Sequence, residues 1–313
     1  MKLYRPIVTA RALAGLLGLG LLGTWIASGP GCAVVEKTSD AMADATKGSS
    51  VEGIFRGTAR LAESSRDYST SEEHYIGRSV SAQILQRYKV HPDRNLQDYV
   101  NLVGKAVQAA PEVRKTFAGY RFIVIEGQEL QGVSAPGGYV FISEGAVRRA
   151  KDEDELAALL AHEIAHVSLR HGIAAIKDAT RQKSFALLAQ GIGQTAGEVT
   201  SGDTKQLVEL TSVFGDAIRD ITSDLLVKGY SRDLEMEADL NATKYLRSAG
   251  YSPGALKSYL SGIGQAGGKG GWFATHPSPS ERIEQLDGGD APKGSAPGRD
   301  VRKARFQKMM SVQ

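Results

Sequence analysis

The chain has one cysteine in 313 residues, Cys32, so no intrachain disulfide can form. A fold without that cross-link must be held by its core, with a bound metal as the remaining staple. Surplus charge is missing too. The formal balance is +3, and residues 1–31 hold Lys2, Arg5 and Arg11 with no acid, which leaves the remainder neutral. That excludes the basic surplus on which nucleic-acid binding depends. Past residue 31 no run is long and apolar enough to cross a bilayer, and no internal repeat marks a solenoid. With 42% hydrophobic and 23% charged residues, the chain reads as one enzyme-sized domain with appendages.

What is present begins with an export segment. Basic residues lead into the apolar run Leu13–Leu22, then the small residues Ser28-Gly29-Pro30-Gly31, then Cys32. This arrangement resembles the lipobox of bacterial lipoproteins, which implies lipidation of Cys32 and a membrane anchor. A plain cleaved signal or an uncleaved N-terminal anchor also fits, and each of the three exports the rest of the chain. Residues 32–68, rich in Ser, Thr, Ala and Gly, read as a tether whose second half equally suits an extra helix.

Ser69 and Thr70, each with a glutamate three residues on, open a helix over Glu72–Tyr88, and a second follows over Leu96–Ala109. Tyr120–Gly127 and Gly138–Gly145 are β-branched, aromatic and bounded by glycine, and predict strands with a turn at Ser134–Gly138 that exposes a strand edge. Asp152–His171 predicts a helix capped by Asp152 and stopped at Gly172, with His171 as a cationic terminus. Further helices are expected over Ile173–Gln190, along the stripe Leu207–Leu225, over Asp233–Ala249 and over Pro253–Gly262, with a loop at Gly191–Asp203.

Within Asp152–His171 lies Ala161-His162-Glu163-Ile164-Ala165-His166. Histidines four apart stand on one helical face, one turn from each other, and both can reach one cation. A zinc ion accepts such a pair and acidifies water, and Glu163, about 100° around the helix, is placed to take a proton. The apolar flanks Leu156, Leu159, Leu160, Ile164 and Val167 bury the motif, and buried histidines need partners. The longer pattern with a third histidine six residues on is excluded, because Gly172 and Leu169 occupy its positions. A third ligand is therefore sought among downstream carboxylates, where Glu235 and Asp239 form another i, i+4 pair: one to bind, one to orient a histidine. Spacing alone does not choose between Glu235 and Glu237.

These blocks, Gly132–Gly145, His162–His166 and Glu235–Asp239, taken in order, resemble the CaaX-prenyl-protease-like zinc metallopeptidases, the gluzincin group that includes HtpX-like and BepA-like proteases. The likeness spans about Glu72–Leu286. It implies an α+β fold, a mainly helical zincin-like domain with a small β-sheet whose edge strand lines the active-site cleft. It implies one Zn²⁺ held by His162, His166 and Glu235, with Glu163 as base and Asp239 behind the ligands. Pro136–Ser143 resembles the family's cleft strand, which implies that Pro136, Gly137, Gly138, Tyr139 and Val140 bind substrate by strand addition. Gln131-Gly132-Val133-Ser134 replaces the N-A-F-A usual before it. Thr275–Ile283 resembles the H-P-x-x-x-x-R-I element, which makes His276 an oxyanion donor, a plug on the zinc, or a loop histidine stacked on Pro277.

The expected organisation is a signal peptide at 1–31, a lipid-anchored tether at 32–68, a zinc metallopeptidase domain at 69–290 and a flexible basic tail at 291–313. The expected function is a zinc endopeptidase of the bacterial envelope, periplasmic and lipid-anchored to the outer membrane, cutting misfolded or unassembled polypeptides, with Gly191–Asp203 or His276 gating the cleft. Its rivals are an outer-membrane assembly factor or chaperone with a latent zinc site, and a structural metal module. No nucleic-acid partner is expected.

Overall fold

The computed structural model describes residues 67–129, 132–193, 219, 222, 223, 226, 229–265, 276–288 and 296–311. The expected signal segment, most of the expected tether with Cys32, the expected helical stripe Leu207–Leu225 apart from scattered residues, and the expected loop Gly191–Asp203 beyond Gly193 lie outside them. By chain contacts the described residues fall almost wholly in one unit, Asp67–Ala179 with Asp203–Gln313, while Thr180–Gly193 belong to another. No described helix is long and apolar enough to cross a membrane.

Helix α1, Thr70–Arg87, starts with a capping box in which the Ser69 hydroxyl accepts from the Glu72 amide and the Glu72 carboxylate accepts from the Ser69 amide. Helix α2, Arg94–Gln108, is capped by Asp93 and buries Leu96, Val100, Val103 and Val107 at helical spacing. Three strands follow: β1 Arg121–Ile125, β2 Gly132–Ala135 and β3 Tyr139–Ser143. The order is β1-β3-β2, with β1 parallel and β2 antiparallel to β3. Period-2 alternation splits the sheet between two cores. Phe122, Val124, Val140 and Ile142 face α2 and the motif helix, whereas Ile125, Phe141 and Ala135 face α1.

This topology corrects the expected cleft strand. Tyr139–Ser143 is paired on both sides and has no free edge to offer a substrate. The edge beside the motif helix is β2, a strand hidden in sequence by its glycine and serine. The turn itself is Pro136-Gly137-Gly138, where Gly137 at φ 74° and Gly138 at φ 108° adopt the left-handed conformation that glycine tolerates.

After a short helix α3, Glu144–Arg149, comes α4, Glu153–Ser168, every residue of which is buried. Asp152 caps it by accepting from the Glu155 amide. Leu156, Leu159, Leu160 and Ile164 are wholly inaccessible, and each contributes about 1.5–3 kcal/mol of burial. The helix ends earlier than expected, because Arg170 takes a left-handed φ of 64° and closes the last turn. That conformation costs a non-glycine residue roughly 1–2 kcal/mol; Arg170 pairs with Glu73 at 2.8 Å and Asp67 at 2.9 Å. His171 is thus not the cationic C-terminal end of the motif helix but the first residue of α5, His171–Gly193.

Helix α6, Arg232–Ser248, lies along α4, followed by α7, Ala255–Gln265, and α8, Pro279–Gly288. The expected flexible tail is instead ordered in its second half. Helix α9, Arg299–Ser311, buries Phe306 against Tyr99 and lays three arginines on the first turn of α4. The physical reason is charge: Asp152, Glu153 and Asp154 are buried, and buried carboxylates need cationic partners.

Candidate metal centre and active site

Helix α4 presents His162 and His166 toward α6, and α6 presents Glu235 and Asp239 back. The two Nε2 atoms are 3.1 Å apart. The Glu235 carboxylate lies 3.4 Å from His162 Nε2 through Oε2 and 3.4 Å from His166 Nε2 through Oε1. His276, at the entry to α8, sets its Nδ1 2.6 Å from Glu235 Oε2. One ligand atom from each of these four residues lies within 4.8 Å of the others.

The set fits a metal ion. A tetrahedral zinc with bonds of about 2.0–2.1 Å separates its ligands by roughly 3.3–3.4 Å; the two imidazole nitrogens are 3.1 Å apart, and each stands 3.4 Å from a different oxygen of the Glu235 carboxylate. Donor chemistry agrees, with imidazole and carboxylate facing inward at a site where Glu235 Oε1 and Glu163 Oε1 are buried without a hydrogen-bond donor.

Electrostatics show what the centre demands. Burial alone would raise the Glu235 carboxyl, but His276, His162 and His166 hold it well below the usual range. Burial and the Arg282 charge push against a proton on His162, yet Asp239 and Glu235 overcome them and lift its pKa to about 9. Burial sends His166 down to about 3. One imidazole therefore holds a proton in a pocket of carboxylates, the place where a metal cation substitutes. Burial raises Glu163, against the opposing charges of His162 and His276.

Behind the centre, Asp239 Oδ1 is 2.8 Å from His162 Nδ1 and fixes that ring. Asp239 is itself gripped by Arg282, with Nε at 2.7 Å from Oδ2 and Nη2 at 2.5 Å from Oδ1. Arg282 Nη2 also lies 3.2 Å from His162 Nδ1; the closer carboxylate, Asp239, accepts the hydrogen bond from the ring N–H. Burial would raise Asp239, but Arg282 brings it down to about 2. Sequence reasoning gave Arg282 no role, although it is the arginine of the H-P-x-x-x-x-R-I element. His171 was also missed: its Nδ1 is 2.9 Å from His166 Nδ1.

A small pocket opens beside His166, bounded by Ser134, Pro136, Gly137 and Tyr230. Of the expected substrate residues it includes Pro136 and Gly137 and no others. Gly138 packs on Gly119, where a Cβ would come within 2.4 Å of the carbonyl oxygen. Tyr139 stacks on His74 at 5.7 Å, and Val140 is buried in the core. Tyr139 and Val140 thus fall on opposite faces of β3, one against each core, and neither lines the pocket.

A His-Glu-x-x-His pair on one helix, completed by a carboxylate from a second, defines the site of a metallopeptidase. Peptidase family M48 matches residues 96–289, and the chain belongs to that family, whose members use a metal, typically zinc. It is 25% identical over 217 residues to a putative beta-barrel assembly-enhancing protease of Vibrio cholerae, covering 68% of this chain and 43% of that one. It is 31% identical over 156 residues to the mitochondrial metalloendopeptidase OMA1 of Schizosaccharomyces pombe, covering 49% and 41%. A protease HtpX homolog of Albidiferax ferrireducens is 28% identical over 166 residues, covering 47% and 56%. The chain thus spans about half or less of the length of these relatives.

Proposed function

We propose that this metallopeptidase is a zinc endopeptidase, one zinc per chain, held by His162, His166 and Glu235. The observation that carries the reading is Glu163: a carboxylate buried beside the ligand set with Oε1 unpartnered, which a purely structural site would have no use for. When bound there, zinc supplies a Lewis acid that polarises the scissile carbonyl and acidifies water. Glu163 takes the proton and delivers it to the leaving amine. Asp239, backed by Arg282, holds the His162 ring. An extended substrate adds along the outer edge of β2.

His276, at 2.6 Å from Glu235 and nearly buried, supports the plug reading over the oxyanion reading: it completes the set to four and keeps the centre latent. The same contact favours a second reading, an assembly factor of the outer membrane whose protease site is held closed. The export segment, Cys32 and the relatives named for β-barrel assembly support an exported, lipid-anchored protein that acts on misfolded or unassembled polypeptides of the envelope.

The test is chelator-sensitive cleavage of casein. Wild type cleaves, His276→Ala cleaves faster, and Glu163→Gln falls by about 10²–10⁴-fold while keeping its zinc. Equal cleavage by wild type and Glu163→Gln refutes the mechanism. Absence of cleavage in wild type and His276→Ala alike leaves the assembly-factor reading.

A further inference from the structure

We infer that His171 is a positioning residue for the metal ligand His166, through the hydrogen bond between their Nδ1 atoms, with the Glu237 carboxylate facing the far nitrogen of His171 at the surface. The inference rests on the metal-centre reading above.

The argument is one of proton counting. His166 turns Nε2 toward His162 and Glu235, so a metal takes that nitrogen's lone pair and the ring's proton resides on Nδ1. The neighbour of Nδ1 is not a carboxylate or a carbonyl, the usual partners of a ligating histidine, but the Nδ1 of His171 at 2.9 Å. Two nitrogens at that distance share one proton. With the donor fixed on His166, His171 must accept at Nδ1 and carry its own proton on Nε2. That nitrogen lies 3.4 Å from the carboxylate of Glu237, which is half exposed on α6, two residues from Glu235. Metal at one end therefore dictates the tautomer of both rings.

The surroundings leave His166 little other freedom. Tyr230 stacks on its ring at 4.3 Å and 15° and also meets His171 edge-on at 5.8 Å. Stacking fixes the plane of the His166 ring but does not choose the tautomer. His171 does that, and it can because Arg170 ends α4 early and starts α5 with this side chain pointing back at the motif. Where His162 is oriented by a carboxylate locked to an arginine, His166 is oriented by a neutral imidazole.

Zinc affinity of the full chain, measured by competition with a chromophoric chelator, tests the bond between the two rings, with the d–d spectrum of the cobalt-loaded protein as a second readout. His171→Leu keeps the volume but has no acceptor. It should lose about 10–100-fold in zinc affinity and shift the cobalt bands. His171→Asn puts an oxygen at the place of Nδ1 and should stay within a few-fold of wild type with its bands restored. His171→Gln, whose acceptor sits one bond farther out, should fall between them. If His171→Leu fails to fold, the Asn and Gln pair decides. Leu affinity equal to wild type, or Asn and Gln equally weakened, overturns the inference. Wild type that binds neither zinc nor cobalt refutes the metal centre itself.

Discussion

The two ends of α4 handle buried charge in opposite ways. At the N-terminal turn, Asp152, Glu153, Asp154 and Glu155 are all buried, and every one meets a donor from the protein. Arg299 binds Asp152 at 2.8 Å, Arg302 binds Asp154 at 2.5 Å, and Arg305 binds Glu153, which Tyr99 and Tyr251 also reach. The Ser258 hydroxyl and the Lys151 amide serve Glu155. At the other end, His162, Glu163, His166 and Glu235 lean on one another, and two carboxylate oxygens have no donor. A buried charged cluster that closes on itself is scaffold. One that stays open needs something from outside the chain.

Glu235→Ala should break the contrast most completely. It removes the carboxylate from the open end, and metal analysis of the purified protein should find the zinc lost; full retention would mean that another carboxylate is the third ligand. Arg302→Ala opens the closed end, taking from Asp154 its guanidinium partner and leaving it the Ser252 amide. Thermal or denaturant unfolding should show a loss of about 2–3 kcal/mol with zinc stoichiometry intact, and an unchanged midpoint would make the arginine cluster decorative. Asp239→Ala should weaken zinc by about 10–100-fold without abolishing it, since it frees the His162 ring rather than deleting a ligand; wild-type affinity would remove it from that role.

The metal-free protein should also show a pH dependence. The folded pKa of His162 is raised to about 9 from an ordinary value near 6.5. Its contribution to stability is therefore complete below about pH 6.5 and lost as pH rises through 9. Asp239, lowered to about 2, works the other way, contributing above about pH 3.9 and losing that share as pH falls through 2. Chelated protein should unfold at lower temperature at pH 9.5 than at pH 6.5, and zinc loading should flatten that difference. A flat profile without zinc would contradict the protonated His162.

What could be read from the sequence was what spacing along a helix determines. His162 with His166, and Glu235 with Asp239, each repeat at one turn, so their side chains share a face whatever else the fold does. Capping residues marked the start of α1 and α4 for the same local reason. The remainder depended on distant partners. Arg299, Arg302 and Arg305 follow a Gly- and Pro-rich stretch and look like a solvated basic tail, because the acids that order them lie about 150 residues upstream. Arg282 stood in a recognised element but needed Asp239, 43 positions away, to acquire a purpose. His171 was assigned to a helix end because Gly172 looked like the stop signal, whereas that glycine packs near Pro136 and the Tyr230 hydroxyl and Arg170 makes the turn. Strand β2 was lost because Gly132-Val133-Ser134-Ala135 has one β-branched residue and owes its form to pairing with β3.

The segment from His276 to Arg282 crosses the centre with both ends fastened, His276 on Glu235 and Arg282 on Asp239. As the proposed plug it would work like a bolt whose far end is pinned to the frame. Pro277 and Pro279 each fix φ, so the rotation that withdraws His276 falls mainly on Ser278 and the ψ angles around it. On the plug reading proposed above, the fourth position would open while the arginine stays on the carboxylate beside His162, and unlatching the site would leave that support of the metal in place.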